Sequence, residues 1–163
     1  MNEIRAIADQ LARAHDGDPW YGAPTMVVLR GVTAEQASRR PIPQAHTIWE
    51  IVLHITSWHH EVLRRLRTRV AREPEDGDWP APPIPPTEDA WREAVEHLEA
   101  AHRELRAEVE RFPADALGEI IGEARDAPLG SGVSYYVLLH GIVQHNLAHT
   151  AQMSLLKKDF SGQ

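Results

Sequence analysis

Hydrophobic positions recur at intervals of three and four in four long stretches of the chain, each bounded by residues that break helices. In the first, Ile4, Ile7, Ala8 and Leu11 share a face from about Asn2; the pattern pauses at GDPWYG (residues 17–22) and resumes from Pro24 to Arg30. A short helical turn follows, because Thr33 and Gln36 stand at capping-box spacing and Pro41 and Pro43 end it. The second long stretch opens with the same device, Thr47 and Glu50. Its stripe of Ile48, Ile51, Val52, Ile55, Val62 and Leu66 predicts a helix to about Arg72. Thr87 caps the third, whose stripe (Trp91, Val95, Leu98, His102, Leu105, Val109, Phe112) holds until Pro113. The fourth runs from about Ser131, just past Pro128 and Gly130, to Lys158.

Between the second and third stretches, EPEDGDWPAPPIPP (residues 73–86) is too rich in proline for a helix or a central strand and reads as an extended connection. At about 3 Å per residue it can travel the length of a bundle, which favours a crossover that leaves the two flanking helices parallel. The prediction is therefore an all-α fold: a four-helix bundle with a long crossover between helices 2 and 3, in one domain over residues 1–163. LGEIIGEA (117–124) fits a short strand and an irregular loop equally. The fourth helix is apolar nearly all round, with Tyr136, Leu139, Val143 and Leu147 on one side, and such a helix is buried on both sides. That predicts a homodimer through this outer face, unless the N-terminal segments cover it.

Composition narrows the chemistry. The chain has no cysteine, so a disulfide, a thiolate metal site and a protein thiol nucleophile are all excluded. A net charge of −7, with Arg64, Arg65, Arg67, Arg69 and Arg72 set beside Glu61 and Glu73, argues against nucleic acid as a partner. MNEIRAIADQLARAH lacks the basic and apolar regions of a leader, and no apolar run approaches the roughly eighteen residues of a membrane span, so the expected location is cytoplasmic.

The ten histidines carry the candidate chemistry. In QHNLAHTAQ (144–152), His145 and His149 lie about 40° apart on a helix and about 6 Å along its axis, so both rings can reach one ion. Leu138, Gly141, Ile142, Ala148, Gln152 and Leu156 share their face. A single histidine on an apolar face is ordinarily a packing residue satisfied by backbone or water. Two in one layer, beside the small Gly141 and Ala148 and with Gln152 in reach, call for a partner that takes both lone pairs, and a metal ion is the simplest. A third ligand must come from another helix. His59 lies in the stripe of the second helix, His54 on its flank beside Trp58, and His60 faces away; His102 lies in the stripe of the third. His15, His46, His97 and His140 look peripheral. Helical angles alone leave His54, His59 and His102 open.

HTIWEIVLHITSWHHEVLRRL (46–66), paired with HGIVQHNLAHTAQMSLL (140–156) and preceded by LRGVTAEQASRRPIPQAHTIWEI, resembles the DinB-like (DinB/YfiT) family of four-helix bundles over nearly the whole chain. That family has one histidine in its second helix and an H-x-x-x-H pair in its fourth, which places His54, His145 and His149 here as metal ligands. The resemblance also implies the crossover topology, a divalent metal ion (zinc or nickel before manganese or iron) and a small-molecule substrate. Relatives include transferases that use a low-molecular-weight thiol such as bacillithiol, mycothiol or glutathione, thiol-dependent isomerases, and proteins labelled metal-dependent hydrolases. The family name refers to damage-inducible expression, a stress-response setting, and not to DNA binding.

Three neutral imidazoles leave an ion its full charge and an open position, the arrangement of a catalytic centre. H-N-L-A-H lacks the glutamate of an H-E-x-x-H protease, which excludes proteolysis by that route. Trp58, His59 and Gln152 are the candidates for the wall of a pocket around the ion. Glu50, Glu61 and the Arg64–Arg69 run read as solvated surface. The rivals to an enzyme are a non-catalytic metal-binding bundle and a small-ligand carrier.

Overall fold

A computed structural model describes residues 2–160. In chain order these form α1 (Glu3–His15), α2 (Thr25–Leu29), α3 (Ala34–Ser38), α4 (Ile48–Thr68), α5 (Glu88–Arg111), a 3-10 turn (Ala114–Gly118), β1 (Ile120–Asp126), β2 (Ser131–Ser134) and α6 (Tyr135–Phe160). The protein is thus mostly helical, and the four predicted long helices are α1, α4, α5 and α6. Their starts follow the caps read from the sequence. Asn2 accepts from the Arg5 N–H, Thr47 and Glu50 form a reciprocal capping box, and Thr87 accepts from the Ala90 N–H.

Two boundaries differ from the prediction, and one buried ion pair bonds the chain next to both. The second long helix ends at Thr68, not Arg72, with Arg69 in the left-handed region at φ 60°. Beyond it the chain doubles back, and the Arg72 carbonyl accepts from Arg65 Nη2 while the Arg72 N–H donates to Glu61. Arg65 is fully buried; its Nε lies 2.6 Å from Glu61 Oε1, and its other nitrogens hold the carbonyls of Leu129 and Gly130. Arg65 and Glu61 are therefore not solvated surface. The helix is amphipathic over this turn, and its polar positions face the hairpin. Nor does α6 begin at Ser131. Residues 131–134 pair with β1 in an antiparallel hairpin (Ile120 opposite Ser134, Ile121 opposite Val133), so the ambiguous LGEIIGEA stretch is strand from Ile120 onward. Gly132 fixes this crossing: its φ is +69°, and a Cβ there would lie 2.5 Å from the Arg125 Cα.

Two apolar clusters form the core. One gathers Ile4, Ile7, Ala8 and Leu11 of α1 with Val62, Leu105, Leu139 and Val143. The other gathers Val28, Trp49, Val52, Ile55, Trp91, Leu98 and Met153. Between them the helices interpose a polar layer: His59 separates Ile55 from Val62 along α4, His102 separates Leu98 from Leu105 along α5, and Asn146 and Thr150 separate Val143 from Met153 along α6. Thr25 joins this layer with its hydroxyl 2.7 Å from that of Thr150. Trp49 and Trp91, near the starts of α4 and α5, lie 5.2 Å apart, and Arg67 near the end of α4 pairs with Glu104 and Glu108 late in α5.

The outer face of α6 is half covered. Leu139 and Val143 pack on α1, whereas Tyr136 and Leu147 stay exposed. Among the described residues no helix is long and apolar enough to cross a membrane.

Candidate metal centre

The middle of α4 and the middle of α6 bring three imidazoles to one point. Histidine nitrogens of His54, His145 and His149 all lie within 4.8 Å of one another, and no other group of three or more metal-ligating side chains does so among the described residues. The Nε2 atoms of His54 and His145 are 2.9 Å apart. Ring centroids in the trio are separated by 4.5 to 4.9 Å.

Each ring is turned by a bond on its far nitrogen. His54 Nδ1 donates to the Asp78 carbonyl at 2.6 Å, and His149 Nδ1 donates to Gln152 Oε1 at 2.8 Å. His145 Nδ1 makes a longer contact, 3.4 Å, with Asn146 Oδ1. A proton on Nδ1 leaves the lone pair on Nε2, so the set presents the tautomer that a metal-ligating histidine needs. Burial works in the same direction. It pushes the His145 pKa down to about 4, aided by the neighbouring imidazoles, and lowers those of His54 and His149 despite the bonds from Asp78 and Gln152. Neutral rings with converging lone pairs repel one another unless a cation or a proton lies between them. These residues therefore fit a divalent ion.

The proline-rich connection, which was expected to act as a spacer, supplies much of the surround. Besides its carbonyl on His54, Asp78 accepts from Trp58 Nε1 at 2.7 Å, and its carboxylate stands 3.4 Å from His54 Nδ1. Gly77 accepts from Ser57 Oγ. Trp79 lies flat on His54 at 3.8 Å, with His46 flat on its other side at 3.4 Å. The indole excludes water from one side of the ring. Sequence reading missed both residues. A tryptophan in an otherwise polar, proline-rich segment was the available signal, since so large an apolar surface is seldom left in water; nothing local marked Asp78.

Of the expected pocket residues, Trp58 is half-buried beside His54 and His145, and Gln152 sits at the rim. His59 lines neither cavity next to the three histidines. It is 1% exposed in the polar layer, where the Asn146 amide donates to its Nε2 at 2.9 Å. His102, also left open by helical angles, lies there too. His15, expected to be peripheral, is buried and stacks on His102 at 3.8 Å. Its spacing from Ile4, Ile7, Ala8 and Leu11 continues the apolar stripe and could have placed it. Glu50 is held by Thr47 and Arg40, and Glu61 by Arg64 and Arg65, so neither reaches the imidazoles.

Two cavities flank the centre. One of about 300 Å³ opens at His149 and Trp79, and one of about 280 Å³ lies against His145 and Trp58, with Arg65 and Arg125 in its wall. A mostly helical protein with a three-histidine group able to hold a divalent ion is the class that these features define. The family model described as the DinB superfamily matches residues 23–153, and the chain belongs to that superfamily. No curated protein and no solved structure gives a significant match.

Proposed function

We propose that this protein is a metal-dependent enzyme that joins a low-molecular-weight thiol to a small electrophile. The observation that carries the reading is the convergence of three neutral imidazoles, with no anionic ligand among them, between two cavities that His149 and His145 line. A divalent ion in that setting keeps its charge and lowers the pKa of a sulfur or oxygen donor. In the transfer, the thiol sulfur forms a bond to the electrophilic carbon. The carbon–leaving-group bond breaks with its electron pair on the leaving group, which takes up the thiol proton. His54, His145 and His149 would hold the ion, zinc or nickel, with Asp78 and Gln152 fixing two of the rings and Trp79 keeping water from His54. The absence of cysteine leaves the nucleophile to a cofactor, and the reduced cytoplasm supplies such thiols.

The same reading takes the chain as a single four-helix bundle domain in which residues 73–86 cross over, leaving α4 and α5 parallel. The proximity of Trp49 to Trp91 and of Arg67 to Glu104 supports it. It also takes the exposed Tyr136 and Leu147 as part of a homodimer contact. Sedimentation of wild type and Leu147→Glu tests the dimer, which is wrong if both run as monomers.

Elemental analysis of protein purified without an affinity tag, followed by turnover of monochlorobimane with bacillithiol, mycothiol or glutathione, tests the function. The expected result is one equivalent of metal and a thiol-dependent rate abolished by chelation and by His149→Ala. Hydrolysis of a small ester without thiol would assign water as the nucleophile instead. Metal without turnover of any kind would leave a metal-binding bundle.

A further inference from the structure

The two cavities beside the centre differ in chemistry. The one at His149 is walled by Ile42, Ala45, Ile51, Trp79, Leu155 and Leu156, and its polar groups are the amides of Gln44 and Gln152 and the imidazoles of His46 and His149. Among the described residues no carboxylate, amine or guanidinium lines it. Ile42 and Leu155 are among the exposed large hydrophobics of the protein, at 46% and 60%, and both stand at this cavity, so its mouth is apolar as well as its floor. The cavity against His145, by contrast, includes the guanidiniums of Arg65 and Arg125.

Resting on the metal-centre reading above, we infer that the His149 cavity binds the uncharged, apolar part of the electrophile, so that the substrate class is a small hydrophobic compound and not a charged metabolite. Three observations support this together. A charged group seated on this wall, away from the ion, would be stripped of water with no oppositely charged side chain among the described residues to meet it, whereas an alkyl or aryl group would be transferred from water onto Ile51, Leu156 and the indole of Trp79 at about 25 cal/mol per Å² of apolar surface. At about 300 Å³ the space lies at the small end of ligand pockets, enough for one ring or a short chain. Trp79 touches both the cavity and His54, so a group seated against its edge lies beside the imidazoles, with the reactive carbon held toward them. The amides of Gln44 and Gln152 and the imidazole of His46 are the polar contacts that this wall offers besides His149.

Binding to the cobalt-substituted protein tests this without requiring turnover. Benzyl mercaptan and 2-mercaptoethanesulfonate are titrated while near-ultraviolet charge-transfer absorption is followed, and octanohydroxamate and acetohydroxamate are titrated as oxygen-donor counterparts. Expected is at least tenfold tighter binding of the apolar member of each pair. Ala45→Phe, which fills the cavity, should erase that preference, as should Ile42→Trp at the exposed mouth should the first variant fold poorly. Gly141→Phe, which projects into the other cavity, should leave it intact; a Cβ at Gly141 meets no atom within 4 Å. Equal affinities within both pairs, or a preference lost on Gly141→Phe and kept on Ala45→Phe, overturns the assignment. If hydroxamates show the preference and neither thiol binds, the apolar pocket stands while the thiol chemistry falls.

Discussion

The molecule holds two groups of three histidines, and they differ in where their nitrogens point. In the group of His54, His145 and His149, Nδ1 is occupied by Asp78, Asn146 or Gln152, and the free nitrogens converge. In the group of His15, His59 and His102, the rings stack or tilt, and the Nδ1 atoms of His59 and His102 have no hydrogen-bond partner among the described residues. The first group sits between two cavities; the second lies in a layer between two apolar clusters, with a cavity of about 280 Å³ against His15 and His102. Burial lowers the pKa throughout the second group, to about 4 for His15, about 3 for His59 and about 2 for His102. Hydrogen bonds on the far nitrogens, more than the number of imidazoles, make the first group a site. The second is a neutral polar layer that desolvation makes costly to charge.

The sharpest way to break this distinction is zinc binding. His145→Ala should weaken it by at least a thousandfold, and the rise in Tm that zinc gives the metal-free protein, worth about 4 kcal/mol at a thousand times Kd, should vanish. His59→Leu should leave zinc affinity within a few-fold of wild type. A comparable loss from His59→Leu would merge the two groups into one.

Acid sharpens the contrast next. The unfolded histidines titrate near 6.5 while those of the buried layer do so near 4 and below, so the unfolded state binds more protons as pH falls. The stability of the layer is complete above about pH 6.5 and is lost as pH drops through the folded values, at about 1.4 kcal/mol per pH unit for each histidine. Denaturant melts of metal-free protein from pH 7 to 4 should show this slope. His102→Leu should flatten it by one proton and, by removing an unpartnered buried nitrogen, stabilise the protein at pH 7 by about 1 kcal/mol. An unchanged slope in the variant would count against a buried neutral His102.

Smaller effects test the orienting bonds. Gln152→Ala should weaken zinc binding about tenfold by freeing His149 Nδ1. Asp78→Ala should cost less, because the bond to His54 comes from the backbone; it should instead show in the fluorescence of Trp58, whose indole loses its acceptor. The smallest expected change is Gly141→Ala, one turn before His145. It should raise stability by about 0.5–1 kcal/mol in a thermal melt through helix propensity alone and leave both histidine groups as they are.

Much of this was legible in the sequence because it depends on local periodicity. The 3-4 spacing in α1, α4 and α5 gave faces that the fold buries, and the capping pairs Thr47–Glu50 and Thr87 marked starts to the residue. His145 and His149 followed from one turn of one helix. The choice among His54, His59 and His102 did not, since all three lie on or near inward faces, and it took the family resemblance to single out His54. What stayed hidden depends on residues far apart in sequence. The Arg65–Glu61 pair looked like surface because the hairpin that covers it arrives some sixty residues later. Asp78 and Trp79 looked like linker because their partners His54 and Trp58 lie on the helix that the segment has already left.

That last arrangement ties occupancy of the centre to the conformation of a stretch of backbone that lies outside every helix and strand. An ion that holds His54 in place also staples residues 77–79 to α4 through a carbonyl, a carboxylate and an indole face. Loading would then shield this stretch from proteases, and a single nick there would detune the centre while every helix remained whole.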